Sequence, residues 1–313
     1  MTKICPENQI CVPVEHCSSV NNTLYKRDLN ESEINYLRNL ECDFKKTIYV
    51  CCNSSLPKPG ECGRISISTK IINGHDTYLG QFPWVVLLGR RWREKDNKTG
   101  ISYECAGSII NDPIEIVKIG EWNIETDPDI DRDVIGDPVI KAEVEKIIPH
   151  KEHRWNKRYD DIALIKLKMK INYTEFIKPI CLPHKEEVLD GKLVIVGWGE
   201  SGKKIKNNEN SEDILEKIQQ HASLDVVDNN ECRKKYLRYN LKSTQMCAAS
   251  AFSDSCKGDS GGPLIGLQTN HFPFYYFITG IVSFGKHCGT LGEPGVYTDV
   301  RKYIDWIQQN IIH

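Results

Sequence analysis

The sequence predicts an all-β domain preceded by a small module that is held by disulfides rather than by an apolar core. Three observations predict it. Six cysteines fall within the first 52 residues, short apolar runs with Gly, Asn and Asp punctuation recur beyond residue 80, and a Ser-, Pro- and Gly-rich stretch divides the two.

Cys5, Cys11, Cys17, Cys42, Cys51 and Cys52 form the first element. So short a segment buries too little apolar surface to fold alone, and disulfides in an oxidising compartment supply the missing constraint. Zinc ligation is the competing reading. Zinc sites favour cysteine pairs two to four residues apart, whereas here two gaps of five residues precede a long gap and an adjacent pair. Residues 54–70, SSLPKPGECGRISISTK, are short of large apolar side chains and read as an exposed linker. The expected divisions are therefore 1–53, 54–70 and 71–313.

Within the large domain FPWVVLLG (82–89), ECAGSII (104–110), DIALIKLK (161–168), KLVIVGWG (192–199) and YYFITGIVSFG (275–285) have the length and apolar content of strands. The end is helical: Val300, Tyr303, Ile304, Ile307 and Ile311 repeat at three and four residues and make one apolar stripe, expected to dock on the β-domain. Residues 200–213, ESGKKIKNNENSED, have no apolar period and read as a surface loop.

Composition removes several classes. The 313 residues are 40% hydrophobic and 27% charged with net charge −2, which excludes disorder and collagen. No apolar run reaches the length of a membrane helix, and no basic block offers a footprint for nucleic acid, so neither partner is expected. Asn21, Asn30, Asn53, Asn97 and Asn172 each open an N-x-[ST] sequon, which agrees with an extracellular, secreted glycoprotein. Residues 1–20 hold no apolar h-region, so the signal peptide that export requires is expected outside this chain.

Gly258-Asp259-Ser260-Gly261-Gly262-Pro263 sets a serine between glycines, where the backbone can approach a substrate. A hydroxyl nucleophile needs that access, and the N–H groups of Gly258 and Ser260 can hold a developing oxyanion. With CKGDSGGPL (256–264), SFG-x-x-C (283–288), PGVYT (294–298), DIALIKL (161–167), VGWG (196–199) and KIINGHDTYLGQFPW (70–84), residues 70–313 resemble the trypsin-like serine proteases of the chymotrypsin fold. The resemblance implies two six-stranded antiparallel β-barrels, the first of them expected to be incomplete in this chain, and a C-terminal helix.

It also implies roles. Ser260 would be the nucleophile and Asp161 the carboxylate that orients and charge-stabilises a catalytic histidine. Asp254 would floor the specificity pocket beside Ser255, with Gly285 and Gly295 as walls that leave room for a substrate Arg or Lys. Lys70-Ile71 resembles a zymogen activation site, cut by an upstream protease so that the new amino group on Ile71 pairs with Asp259. The amino-terminal cysteines resemble a clip domain of arthropod haemolymph or venom proteases, implying Cys5–Cys51, Cys11–Cys42 and Cys17–Cys52, although sequence alone permits fifteen connectivities. Resemblance further implies Cys232–Cys247, Cys256–Cys288 and a tether Cys62–Cys181, leaving Cys105 unpaired. Protein substrates and serpin inhibitors are the implied partners, and no cofactor is required. GEWNIETDPDIDRD (120–133) resembles the family's calcium-binding loop, with Glu121 and Glu125 as oxygen donors, against the alternative of a merely solvated acidic loop.

One motif is missing. The family places its histidine in a TAAHC sequence after the strand of Cys105-Ala106-Gly107-Ser108, yet here Ile110-Asn111 runs directly into Asp112-Pro113 and the next strand. The absent histidine and the odd cysteine are one deletion seen twice. His150 and His153 fall in a surface loop, His75 at a surface position and His287 near the pocket rim, so none is expected to act as base. Two functions follow. One is a serine endopeptidase of an innate-immune or melanisation cascade whose transcript contains the missing segment; the other is a non-catalytic homologue that serves as a binding or adaptor protein.

Overall fold

Adjacent cysteines in a strand point to opposite faces, and this organises the amino-terminal module. The computed structural model describes residues 5–6, 9–14, 17, 20, 29–44, 48–53, 61–64, 75–93, 99–105, 114–189, 192–199, 216–250, 259–269, 274–285 and 293–311. Strands β1 (Gln9–Pro13), β2 (Glu41–Phe44) and β3 (Ile48–Asn53) form a sheet in the order β1-β3-β2. Cys51 bonds Cys5 while its neighbour Cys52 bonds Cys17, and Cys11 bonds Cys42. Val50 and Cys52 share a face and meet Cys17, Val20, Leu37 and Leu40 in a minute core. These sulfurs are consumed in disulfides, so the close group of Cys5, Cys11 and Cys42 offers no thiolate to zinc.

Helix α1 (Glu31–Leu40) starts at Asn30, whose side chain accepts from the Glu33 N–H at 2.9 Å while the Glu33 carboxylate accepts from the Asn30 N–H at 3.1 Å. This reciprocal cap gives the asparagine of a sequon a structural role of its own. Asn30→Gln is expected to lower the stability of the module by about 1 kcal/mol, because the longer side chain caps poorly, whereas Asn30→Asp removes the glycan acceptor and keeps the cap. Denaturant unfolding of both variants, made without glycans, checks this.

In the large unit, residues 58–302, the strands are β4 (His75–Asp76), β5 (Val86–Arg93), β6 (Thr99–Cys105), β7 (Ile114–Ile119), β8 (Ile130–Asp131), β9 (Val134–Ile135), β10 (Ile140–Pro149), β11 (Ala163–Leu167), β12 (Leu193–Gly197), β13 (Gln220–Val227), β14 (Gln245–Ala249), β15 (Pro263–Gln268), β16 (Tyr275–Phe284) and β17 (Gly295–Asp299). Six of them close a barrel in the order β12-β15-β16-β17-β14-β13, sealed by pairing of β12 with β13. Leu193, Ile195, Leu224, Met246, Ala248, Leu264, Val282 and Tyr297 fill it. Every residue of β12 is buried, because its outward side chains Val194 and Val196 pack with Phe82, Val85, Leu87 and Trp198 in a second core. That explains why KLVIVGWG reads as a continuous apolar run instead of an alternating one.

The first sheet stays open. Its order is β11-β10-β7-β5-β6, so among the described strands β6 and β11 pair on one side only. Five strands do not close where six do, and the Asn111–Asp112 junction lies between the end of β6 and the start of β7. The core beneath is correspondingly leaky: Val86, Ile140, Val144, Ile147, Ile165, Leu167 and Ile171 are only partly buried around Leu88, Ile114, Val117, Ile119, Ala142 and Ile177. Among the described residues the first barrel is thus incomplete, as the sequence leads one to expect.

Helix α2 (Asn229–Lys235), capped by Asp228, carries Cys232, which bonds Cys247 of β14. Cys62 bonds Cys181, and Gly63 follows at φ +64°, with its N–H donating to Pro179 O and its carbonyl accepting from Tyr276 N, both at 2.9 Å. A Cβ there would overlap the Tyr276 backbone, so only glycine fits. The terminal helix α3 (Ile304–Asn310) buries Ile304 and Ile307 and belongs to the unit that also holds residues 1–57.

Candidate active site

Ser260 occupies the corner of a four-residue turn. Gly262 N–H donates to Asp259 O at 2.8 Å, and Gly261 between them has φ +76°. Such a turn needs glycine at its third position, which accounts for Gly261, and it leaves the Ser260 side chain presented at the second. The turn is sewn to β16: Gly261 N–H donates to Val282 O at 2.8 Å, and Val282 N–H to Gly262 O at 3.0 Å.

Asp259 turns the other way, into the loop after β12. Gly199 N–H donates to its Oδ1 at 2.9 Å, and a Cβ at either Gly197 or Gly199 would overlap the carboxylate. The two glycines of VGWG therefore make room for a charge. Ile71 and Lys70 lie outside the described residues, as do Asp254, Ser255, Gly258, Cys256 and Cys288.

Asp161, just before β11, is bonded to the next residue of β16. Its Oδ2 accepts from Ser283 Oγ at 2.6 Å, and its carbonyl accepts from Thr298 Oγ1 at 2.8 Å. Consecutive residues of β16 thus hold the two halves of the site, Val282 through its backbone to the serine turn and Ser283 through its side chain to the aspartate. Sequence reading assigned Ser283 and Thr298 no role, although both stand inside the quoted motifs SFG and PGVYT. Beyond them, the register pairing Phe284 with Val296 sets Gly285 beside Gly295. Gly285 is exposed with nothing within 4 Å of a Cβ position, while Gly295 is buried.

The segment leading to Asp161 is held under constraint. Arg158 and Asp160 both have φ +52°, a left-handed conformation that costs a non-glycine residue about 1 kcal/mol. Tyr159 OH donates to Tyr239 O and Asn240 O at 3.1 and 2.8 Å, Asp160 pairs with Lys242 at 3.0 Å, and Gln245 Nε2 donates to Arg158 O at 3.0 Å.

No imidazole among the described residues hydrogen-bonds to Ser260 or Asp161. His150 donates its N–H to Ile162 O and accepts at Nδ1 from Glu152 N–H, 3.3 Å away, and burial holds its pKa below the usual value despite the opposing field of Asp160. His153 is half-buried, His184 is exposed, and His221 packs on the Phe82 ring at 5.8 Å. The backbone of His75 pairs with that of His221. His287 lies outside the described residues.

In the acidic loop Glu121 is buried, and Lys118 Nζ reaches its Oε2 at 2.6 Å and the face of Tyr103 at 4.5 Å. Burial raises the Glu121 pKa, with Lys118 opposing it. Glu125 pairs with Lys217 at 2.7 Å. Asp129, also buried, accepts from Trp122 N–H, Asn123 N–H and Thr126 Oγ1. No three carboxylates gather here among the described residues. Of the sequon residues, Asn172 is exposed, Asn30 caps α1, Asn53 ends β3, and Asn21 and Asn97 lie outside the described residues. The backbone of Cys105 ends β6, opposite Leu88.

Two family models match the chain: Trypsin over residues 123–307, and Regulatory CLIP domain of proteinases over residues 6–52. The trypsin match begins beyond the Asn111–Asp112 junction. Serine protease ea of Drosophila melanogaster is 33% identical over 362 aligned positions, covering 97% of this chain and 89% of that protein. Phenoloxidase-activating factor 1 of Holotrichia diomphalia is 34% identical over 353, covering 97% and 91%. Both alignments are longer than the 313 residues of this chain, so both relatives carry residues that it lacks. The crystal structure of the Drosophila Grass clip serine protease of the Toll pathway superposes with a TM-score of 0.68 at 25% identity, covering 97% of this chain and 94% of that one. A closed barrel with Ser260 and Asp161 joined through one strand, a module of three disulfides ahead of it and these likenesses together place the chain in the trypsin family, among its clip-domain serine proteases.

Proposed function

We propose that the chain is a secreted zymogen of a proteolytic cascade of the innate-immune kind, with a clip domain at 1–53, a linker at 54–70 and a protease domain at 71–313. Cleavage after Lys70 by an upstream protease would free Ile71 to pair with Asp259. Protein substrates would be cut after Arg or Lys selected by Asp254, with Ser260 as nucleophile and serpins as natural inhibitors. The chain as written stops short of that reaction. One observation carries the reading: among the described residues, the one side-chain hydrogen bond to the Asp161 carboxylate comes from Ser283, and no imidazole reaches Ser260. Attack by Ser260 must release a proton, and without an imidazole that proton has no acceptor.

Sequencing the messenger RNA between the codons of Asn111 and Asp112 tests this. A coding segment with a histidine-bearing strand is expected, and an uninterrupted join would defeat the protease reading. The second reading, a non-catalytic clip-domain homologue acting as binding or adaptor protein, is favoured by the intact surroundings of Asp161, which leave a binding surface without a base. It predicts that the chain cleaved after Lys70 resists fluorophosphonate yet retains arginyl peptides, and rapid labelling of Ser260 would dispose of it.

In the acidic loop we read Lys118, not calcium, as the resident cation, since each expected donor carboxylate already holds a lysine. EDTA or calcium is then expected to leave the melting temperature unchanged. Lys118→Met strands a buried carboxylate and is expected to cost about 3 kcal/mol in denaturant unfolding. The pH dependence follows from the raised Glu121 pKa. The folded chain holds that proton more tightly than the unfolded one, so this stabilisation is complete below 4.5 and disappears as pH climbs through the folded value. Lys118→Met moves that value further up, so its cost should be greater at pH 7 than near pH 5.

A further inference from the structure

The sequence reads as having no basic block, yet the fold lays two basic segments side by side. Residues 151–160 and 228–242 together carry nine Lys and Arg against four carboxylates. Tyr159 OH donates to the Tyr239 and Asn240 carbonyls, and Lys242 pairs with Asp160 at 3.0 Å, so the two segments are joined. Their carboxylates are already engaged: Glu152 with Arg154, Asp160 with Lys242, Glu231 with Lys234, and Asp228 as the cap of α2. Lys151, Lys157, Arg158, Arg233, Lys235 and Arg238 are left exposed, and among the described residues no carboxylate pairs with them. The net charge of the whole chain is −2, so this excess is local.

Within the second segment stands Leu237, at 81% the most exposed large apolar side chain among the described residues. The turn that presents it is held firmly. Tyr236 is buried with its OH donating to Pro294 O at 2.6 Å, Tyr239 N–H donates to Tyr236 O at 2.9 Å, and Cys232 ties the preceding helix to Cys247. Tyr236 thus takes the buried place at this turn and leaves Leu237 in water. A lone exposed leucine is ordinary. One set between Lys235 and Arg238, with the exposed Tyr239 beside it, has the arrangement of a side chain that enters a lipid interface while its neighbours bind the headgroups.

We infer that this face binds an anionic phospholipid surface, with its unpaired cations at the headgroup phosphates and Leu237 at the boundary with the acyl chains. Charge complementarity supplies the attraction, about fivefold in affinity for each Lys or Arg that reaches the headgroups. Leu237 decides between occupants. A sulfated polysaccharide or a nucleic acid satisfies the cations and leaves that side chain in water, whereas a bilayer uses both. The sequence argument against a membrane partner concerned a spanning helix, and attachment to a surface needs none. Neither Ser260 nor the absent histidine takes part, so the surface and the catalytic reading stand or fall separately.

The experiment is co-sedimentation of the full, uncleaved chain with sucrose-loaded vesicles of phosphatidylcholine, alone or with roughly one-third phosphatidylglycerol. Binding is expected to the mixed vesicles only, and it should fade as salt rises to about 0.5 M. Lys235→Gln and Arg238→Gln should each weaken it about fivefold and flatten its salt dependence. Leu237→Ser should weaken it about tenfold and leave the salt dependence as it was. All three side chains are exposed, so melting temperatures should stay unchanged. Changing Lys166 and Lys168 together to Gln is the control, because these exposed cations pair with Glu145 and Glu143 away from the patch, and no loss of binding is expected. Equal sedimentation with both kinds of vesicle, or a control loss as large as that of the patch variants, overturns the inference. So does a Leu237→Ser chain that binds the mixed vesicles as well as the wild type and is stripped from them by heparin, which would mark a site for soluble polyanions.

Discussion

Inserting a histidine-bearing strand between Asn111 and Asp112 is expected to raise turnover of an arginyl peptide about a million-fold over the chain as written, the loss that removal of a triad member causes. Both chains would be cleaved after Lys70 and assayed with a chromogenic arginyl amide. The large factor follows from what the site already contains. Ser260 is presented on a glycine turn, Asp161 is anchored by Ser283 and Thr298, and both are bonded to β16. A restored imidazole would therefore enter a site whose other members need no rearrangement. Ser260→Ala in the restored chain should return the rate to the level of the chain as written. A small gain on insertion, with the new strand paired between β6 and β11, would mean that the missing base is not the main defect.

The second large effect concerns the tether. Changing Cys62 and Cys181 both to Ser is expected to cost about 5 kcal/mol, because this bond spans 119 residues and its loss frees a long loop in the unfolded chain. Part of the segment should stay in place, since Gly63 is bonded on both sides to Pro179 and Tyr276. Covalent continuity is a separate readout. After cleavage at Lys70 the wild-type chain should run as one band on a non-reducing gel, whereas the double variant should split. Chemical denaturation of the uncleaved forms gives the stability difference.

Much of this was legible from the residues alone, for physical reasons. Six clustered cysteines have few uses outside the cytosol, and an unbroken apolar run such as LVIVG fits a strand buried on both faces. The open first sheet was legible as well, because one missing motif removed both a histidine and a disulfide partner. What escaped reading depends on contacts between distant segments. Ser283 is an ordinary serine in a strand, and only the fold brings it to Asp161, 122 residues away. GEWNIETDPDIDRD read either as a calcium loop or as solvated acid, yet Glu121 and Asp129 are 4% and 1% exposed, satisfied by a lysine and by backbone N–H groups with the Thr126 hydroxyl. The left-handed Arg158 has no glycine or asparagine to announce it, and it persists because its neighbours are pinned elsewhere in the barrel.

A sheet that closes on itself has no rims, and one that fails to close has two. Along β6 and β11 the described strands leave rows of amide and carbonyl groups facing outward, with Ile165 and Leu167 only partly covered nearby. A second copy of the polypeptide carries the same rows, so rim-to-rim association is the expected behaviour of a sheet left open between β6 and β11, checked by sedimentation of the purified chain. The stretch that should supply a proton acceptor is also the one that would keep each molecule solitary.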